Sequence, residues 1–311
     1  MTSPQAQQAV AGLKEIFGEH GPLRPVHARG LFLQGSFTAA PAAARLTRAA
    51  PMQGGRVPVT ARFSNGNGLP SLPDFLPDVR GLAVSFLLPG GQRSDIVAST
   101  LPRSPVRSPR SALALIRALR PRLTLPLRFL AYSLLHPEFL RSAPANLRAL
   151  LRLPASYASA TYHALHAYKW MTPYGSERFV RYRWVPEQVL GIAWWRAWRR
   201  GRRYLQEELE ERLRQGPVCM HLQVQIARPG DPVDDPSAPW PDDREIVTVG
   251  TLELQALDTR PELEAWVFDP LRLTDGIAPS RDPVLQFRAQ VYAEAAARRG
   301  ATHPSQHIRA A

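Results

Sequence analysis

Alternating apolar and polar residues predict several half-buried β-strands on both sides of a helical middle section. The segments that carry this period of two are 57–63, 82–86, 180–184, 218–226, 246–254 and 264–268. Because the strands come from distant parts of the chain, the pattern favours a closed or strongly curved antiparallel sheet.

Helical patterns fill the middle and the end of the chain. They occupy residues 108–150 and 204–215, and Gly216 is placed to end the second. Residues 283–299 form the last predicted helix, in which Pro283 fits the first turn and Gly300 follows the end. Residues 1–22 are predicted to form an N-terminal helix or arm.

The chain of 311 residues contains neither a Ser/Gly linker nor an internal repeat, so a single domain over 1–311 is expected. The most apolar stretch, 123–135, is too short for a membrane span. A single cysteine, Cys219, and the lack of a secretory pattern at the N-terminus predict a cytoplasmic protein.

The formal net charge of +13 raises the alternative of a scaffold for nucleic acid or another polyanion. The arginines are spread over most of the chain, so the composition predicts no specific nucleic-acid partner. Their densest cluster, 196–203, lies beside Trp194, Trp195 and Trp198. We interpret it as a basic helix face or an oligomer contact, which leaves a homo-oligomer open.

The last predicted helix carries the residues with the clearest chemistry. Arg288 and Tyr292 are four residues apart and Arg299 follows seven residues later, so the three lie near one stripe. A guanidinium beside a phenol favours the phenolate, which can bind ferric iron. By itself, such spacing is more typical of a surface pair.

The residues around this stripe change that interpretation. The run FDPLRLTDGIAPSRDPVLQFRAQVY, Phe268 to Tyr292, resembles the segment of haem catalases that leads to their proximal tyrosine. The resemblance implies that Tyr292 is the axial ligand of a haem iron, that Arg288 bonds to it, and that Arg299 binds a haem propionate.

Three further runs are similar to the same family. In RPVHARG, 24–30, His27 matches the distal histidine that acts on peroxide, Arg24 matches a propionate ligand, and Val26 precedes the histidine as in catalases. In ARFSNGNG, 61–68, Arg62 matches another propionate ligand and Ser64 a serine that orients the histidine. The run PDVRGLAVSF, 77–86, matches a structural strand, and His163 and His166 fall in a weakly matched zone where structural roles are expected.

One motif departs from the family pattern. Catalases place an asparagine on the distal side, within a Gly-Asn-Asn-Thr-Pro run, whereas DIVASTLP, 95–102, has Ser99 and Thr100 in place of both asparagines of that run. We assign the functional position to Thr100. A hydroxyl offers fewer hydrogen bonds than an amide, so handling of a second peroxide should be weakened.

The resemblance implies an α+β fold: a catalase-like antiparallel β-barrel with helical insertions and a C-terminal haem-ligand helix. The implied function is a haem-dependent peroxidase of the short catalase-related branch. It would reduce hydrogen peroxide or organic hydroperoxides with a small-molecule electron donor and retain weak catalase activity. The expected cofactor is haem b, because the Cys-x-x-Cys-His sequence for covalent attachment is absent.

Two other functions stay open at this point. Allene oxide synthases, which isomerise hydroperoxides, share the fold but carry threonine before the distal histidine, where this chain has Val26. A haem-binding protein without turnover is the other alternative. The sequence does not identify the reductant, the preferred peroxide, the oligomer or a nicotinamide nucleotide site.

Overall fold

The computed structural model describes residues 3–300. Its centre is a closed antiparallel barrel of eight strands. The strands are β1 (Gly30–Ala39), β2 (Arg56–Asn65), β3 (Arg80–Leu87), β4 (Arg93–Ser99), β5 (Tyr162–Met171), β6 (Glu177–Pro186), β7 (Val218–Ile226) and β8 (Ile246–Leu257). A short ninth strand, β9 (Ile277–Pro279), pairs with β5.

The strand order around the barrel is β4-β3-β2-β1-β8-β7-β6-β5, and pairing of Ser99 with His163 closes it. Buried and half-buried residues alternate without interruption along β7. The barrel interior is filled by large apolar side chains, among them Phe37, Phe86 and Trp184. Phe37 packs edge-on against both other rings. The barrel predicted from the strand pattern is therefore confirmed.

Within residues 3–300, eight α-helices surround the barrel. They are α1 (Pro4–Phe17), α2 (Pro41–Leu46), α3 (Pro109–Leu119), α4 (Leu125–Leu135), α5 (Pro137–Leu151), α6 (Trp194–Arg200), α7 (Tyr204–Gln215) and α8 (Pro283–Arg298). The predicted helical region 108–150 is thus three separate helices.

Helix α8 lies between the barrel and the pair α1 and α3. Leu285 belongs to the barrel core, while Phe287 packs with Ala9 of α1 and Leu113 of α3. The helix begins where the Asp282 carboxylate accepts hydrogen bonds from the backbone N–H groups of Val284 and Leu285. Both ends of the chain are thereby brought to one side of the barrel.

The prediction of a strand at 264–268 is wrong. Residues Pro261–Ala265 form a short 3₁₀ helix, and the chain then continues without regular structure. Carbonyl groups of this segment face Arg24 instead of a neighbouring strand: Arg24 donates to the oxygens of Trp266 and Glu264. Along 264–268 the side chains change from exposed to buried without alternating.

Candidate active site

Tyr292 lies at the end of a chain of buried hydrogen bonds. Arg288 donates from Nη2 to Tyr292 Oη over 2.7 Å and from Nη1 to His166 Nε2 over 2.8 Å. His166 Nδ1 and Asp282 Oδ2 are 2.5 Å apart. Helical spacing brings Arg288 to Tyr292, and the N-cap Asp282 anchors the far end of the chain.

The position of His166 depends on an irregularity in β5. The register with β6 shifts between Ala164 and Ala167, so that Leu165 and His166 lie outside the regular ladder. Bulges of this kind redirect side chains beside functional sites. Here the buried imidazole meets α8 and fixes Arg288.

Burial and close partners set the charges of the side chains in this row of hydrogen bonds. Burial lowers the pKa of His166 despite the opposing effect of Asp282, so its ring is neutral and accepts the Arg288 hydrogen bond. Burial also disfavours the charge of Arg288, but Tyr292 together with Tyr168 and Asp282 outweighs this effect, and the pKa of Arg288 is raised. Tyr292 therefore faces a permanently charged guanidinium.

His27 lies in the same cavity as Tyr292. Its Nδ1 is 2.9 Å from Ser64 Oγ, and its backbone N–H donates to the Gly66 carbonyl over 3.0 Å. The backbone at His27 has a φ of 56°, in the left-handed region that L side chains rarely adopt. These contacts hold the ring in one orientation.

The imidazole of His27 is neutral at ordinary pH. Burial and the positive charges of Arg62, Arg288 and Arg24 lower the pKa of His27 to about 3. Because Ser64 occupies Nδ1, the Nε2 atom is the ring nitrogen left to act on a ligand. The site thus contains a base that is available across neutral pH.

Gly81 is a site residue that the sequence did not single out. A Cβ at this position would lie 2.7 Å from Ser64 Oγ and 2.9 Å from His27 Nδ1. Only glycine allows β3 to pass so close to the imidazole. The motif PDVRGLAVSF contains this residue, but periodicity alone shows no reason for it.

Three arginines converge on the edge of the cavity. Arg24 pairs with Glu264 over 3.2 Å, Arg62 donates to the His27 carbonyl over 3.0 Å, and Arg299 donates to the Ala295 carbonyl over 3.2 Å. Burial and Arg24 lower the pKa of both Arg62 and Arg299, the latter to about 10. Among the described residues, Arg62 Nε is buried without a hydrogen-bond partner. Such a cluster fits a ligand with more than one negative charge.

The cavity comprises about 850 Å³ of space free of protein atoms, counting its opening to solvent. Its walls include His27, Ser64 and Val26 on the barrel side and Tyr292 and Arg288 on the helix side. Phenol, imidazole and three arginines around one cavity match the groups that a haem requires, so the residues fit this cofactor.

The structure does not bring Thr100 to the cavity, and its assignment as the distal residue is wrong. The Thr100 hydroxyl accepts a hydrogen bond from the Arg80 backbone N–H over 3.0 Å and faces a second cavity, which His163 also lines. Ser99 lines the cavity of His27 instead. Adjacent residues on a strand face opposite sides, so a shift of one position in the motif exchanges the two roles.

The barrel, with a tyrosine-bearing last helix and a histidine ahead of the first strand, defines a catalase-like protein of the α+β class. The family model described as Catalase matches residues 5–308, and the chain belongs to the catalase family. A crystal structure of a fungal catalase shares the fold, with a TM-score of 0.81 and 22% identity over 93% of this chain and 62% of that one.

Within this family the chain is similar to short members. A catalase-related peroxidase of Mycolicibacterium paratuberculosis is 43% identical over 290 residues, which cover 92% of this chain and 91% of that protein. A catalase-related peroxidase of Synechococcus elongatus is 35% identical over 94% of this chain and 88% of that protein. A catalase of Vibrio cholerae is 29% identical, and the match covers 59% of its length. The predicted resemblance to the short branch is confirmed.

Proposed function

We propose that the protein is a haem-dependent peroxidase that reduces hydrogen peroxide or organic hydroperoxides. The observation that carries this proposal is a single cavity lined both by a tyrosine bonded to a charged arginine and by a buried neutral histidine. The catalase-related peroxidases that are similar over most of the chain support it.

In this proposal Tyr292 binds the haem iron and Arg24, Arg62 and Arg299 bind the propionates. We take the haem to be of type b and held without covalent bonds. When bound, the haem supplies the redox chemistry of peroxide reduction. Arg288 donates a hydrogen bond to the Tyr292 oxygen, and His166 and Asp282 hold Arg288 in place.

His27 moves the proton. Its Nε2 accepts the proton of the near peroxide oxygen and returns it to the far oxygen as the O–O bond breaks, so that an alcohol or water leaves. Ser64 holds Nδ1 and keeps the ring aligned. Two electrons from a small-molecule donor and two protons complete the reduction of ROOH to ROH and water. We place this reaction in the cytoplasm, because a chain with one cysteine suits a reducing compartment.

Exchange of His27 for alanine tests the role of this residue. We expect the haem-loaded variant to lose peroxide-dependent dye oxidation by at least about a hundredfold, since general acid–base catalysis contributes that much. An unchanged haem spectrum is the control for cofactor binding. Full activity in the variant with bound haem would contradict the proposed proton transfer.

Product analysis separates reduction from isomerisation. Val26 lines the cavity beside His27, at the position where the isomerases carry threonine. With a fatty-acid hydroperoxide and a reductant, we expect the corresponding alcohol. An epoxide or a ketol as the main product would instead assign the protein to the isomerases.

A further inference from the structure

Helix α4 turns a row of leucines outward. Leu127, Leu130 and Leu134 are 72%, 56% and 69% exposed. Leu123, just before the helix, is fully exposed. Spacings of four, three and four residues place these leucines on one stripe.

Helix α5 has the same inverted arrangement. Its leucines at 140, 147 and 151 are exposed, whereas its buried residues are Glu138, Ser142 and Asn146. In α4 the buried residues are likewise polar or amphipathic, Tyr132 and Ser133. A helix whose outer face meets only water exposes its polar residues and buries its apolar residues. Exposed apolar surface of this kind is typical of an interaction site.

The same part of the chain holds most of the net charge. Residues 103–152 contain ten arginines and one glutamate, which gives them nine of the thirteen net positive charges. The glutamate, Glu138, is buried. Within residues 3–300, the pair of Arg120 with Glu15 is the one ion pair formed by these arginines with a carboxylate. The other nine charges are available to a partner.

Exposed tryptophans extend this surface. The backbone of 189–192 pairs with the segment that follows α5: Ala155 N–H donates to Leu190 O and Ile192 N–H donates to Leu153 O. This strand-like segment leads into α6, where Trp194, Trp195 and Trp198 are each more than half exposed. Tryptophan and arginine together are typical of the interface between lipid headgroups and acyl chains.

We propose that α4, α5 and α6 bind the surface of an anionic lipid bilayer. The leucines and tryptophans would enter the headgroup boundary, and the arginines would pair with lipid phosphates. The proposed binding is peripheral, through one face of these helices. Among residues 3–300, no helix combines the length and the hydropathy of a membrane span. A second copy of the chain is a poorer partner, because two faces that each carry the arginines of α4, α5 and α6 would repel one another.

Vesicle sedimentation with the purified haem-loaded chain tests this proposal. We expect binding to vesicles of phosphatidylglycerol and phosphatidylcholine, weaker binding as salt rises, and no binding to pure phosphatidylcholine. The triple variants L127S/L130S/L134S and R122Q/R141Q/R148Q should each bind at least about tenfold more weakly. All six residues lie outside the haem cavity, so peroxidase activity in solution should be unchanged.

Matched controls separate this surface from bulk properties. The variants L69S/Y174S/I246S and R45Q/R214Q/R281Q change exposed residues elsewhere and should bind within about threefold of the unmodified chain. Equal losses in the matched sets would contradict the proposal. The proposal would also be contradicted if the unmodified chain does not bind the anionic vesicles and instead forms a dimer. Analytical ultracentrifugation would detect such a dimer and show that the leucine variant does not form it.

Discussion

At the scale of single residues, the cavity combines a neutral base with a surplus of positive charge. His27 is surrounded by Arg62, Arg288 and Arg24, and burial acts in the same direction. The base is therefore ready at any pH in the physiological range. Its orientation comes from Ser64, and its close approach to β3 from Gly81.

The lowered pKa of His27 predicts an unusual pH dependence. Its neutral form is lost only as the pH falls toward 3, so the rate constant for reaction with peroxide should stay constant from pH 8 to pH 5. An imidazole with a pKa near 6.5 would lose about thirtyfold over this range. Stopped-flow mixing of the haem-loaded protein with peroxide measures the rate constant. A midpoint near 6.5 would show that the histidine is not held neutral.

Ser99 lines the cavity of His27, so we expect this residue, and not Thr100, to affect the distal side. We expect S99N, which restores an amide there, to raise oxygen release relative to dye oxidation by about fivefold, the equivalent of one additional hydrogen bond. T100N is the matched control, because Thr100 faces the second cavity, and it should leave the ratio unchanged. An oxygen electrode and a dye assay give both rates, and the reverse order of effects would restore the assignment to Thr100.

At the scale of elements, a chain of hydrogen bonds links the N-cap of α8, Asp282, to the candidate iron ligand, Tyr292. Asp282 caps the helix with one carboxylate oxygen and holds His166 with the other. Arg288 joins His166 to Tyr292 one turn further along. The N-cap therefore contributes to stability and to the position of the phenol at once.

Variants of Asp282 measure how much the cap contributes to the free energy of unfolding. D282A removes the cap and the partner of His166, so urea unfolding should show a loss of about 2–4 kcal/mol. Asparagine keeps a capping oxygen, and D282N should therefore be more stable than D282A by about 1 kcal/mol. Equal stabilities of the two variants would show that the cap contributes nothing.

The sequence predicts elements with regular patterns and fails where a contact is irregular. The last helix, predicted at 283–299, runs Pro283–Arg298, and the strand at 218–226 is β7 with the same ends. The bond from His166 to Arg288 depends on a β-bulge that no periodicity shows. The error between Ser99 and Thr100 has a related origin, because a shift of one residue exchanges the two faces of a strand.

At the scale of the whole molecule, barrel closure brings residues from both ends of the chain to one cavity. Arg24 and His27 precede β1, whereas Arg288, Tyr292 and Arg299 belong to the last helix and its end. At the edge of the cavity, Arg24 disfavours the charge of both Arg62 and Arg299. A bound dianion would relieve this repulsion and stabilise the fold.

Haem binding should accordingly depend on Arg299 and not on the adjacent Arg298. Loss of a charged hydrogen bond in R299Q should weaken haem affinity by at least about tenfold. Arg298, which pairs with Glu294 and does not line the cavity, provides the control, and R298Q should bind haem as the unmodified chain does. Titration of the haem-free protein with hemin gives both affinities. Equal affinities would remove Arg299 from the haem site.

We propose that Tyr292 and His27 face each other across one haem, and a crystal structure of the haem-loaded protein would test this arrangement. We expect an iron bound by Tyr292 Oη, His27 on the opposite face, and propionates on Arg24, Arg62 and Arg299. A haem in another cavity, or an iron bound by any other side chain, would contradict this proposal.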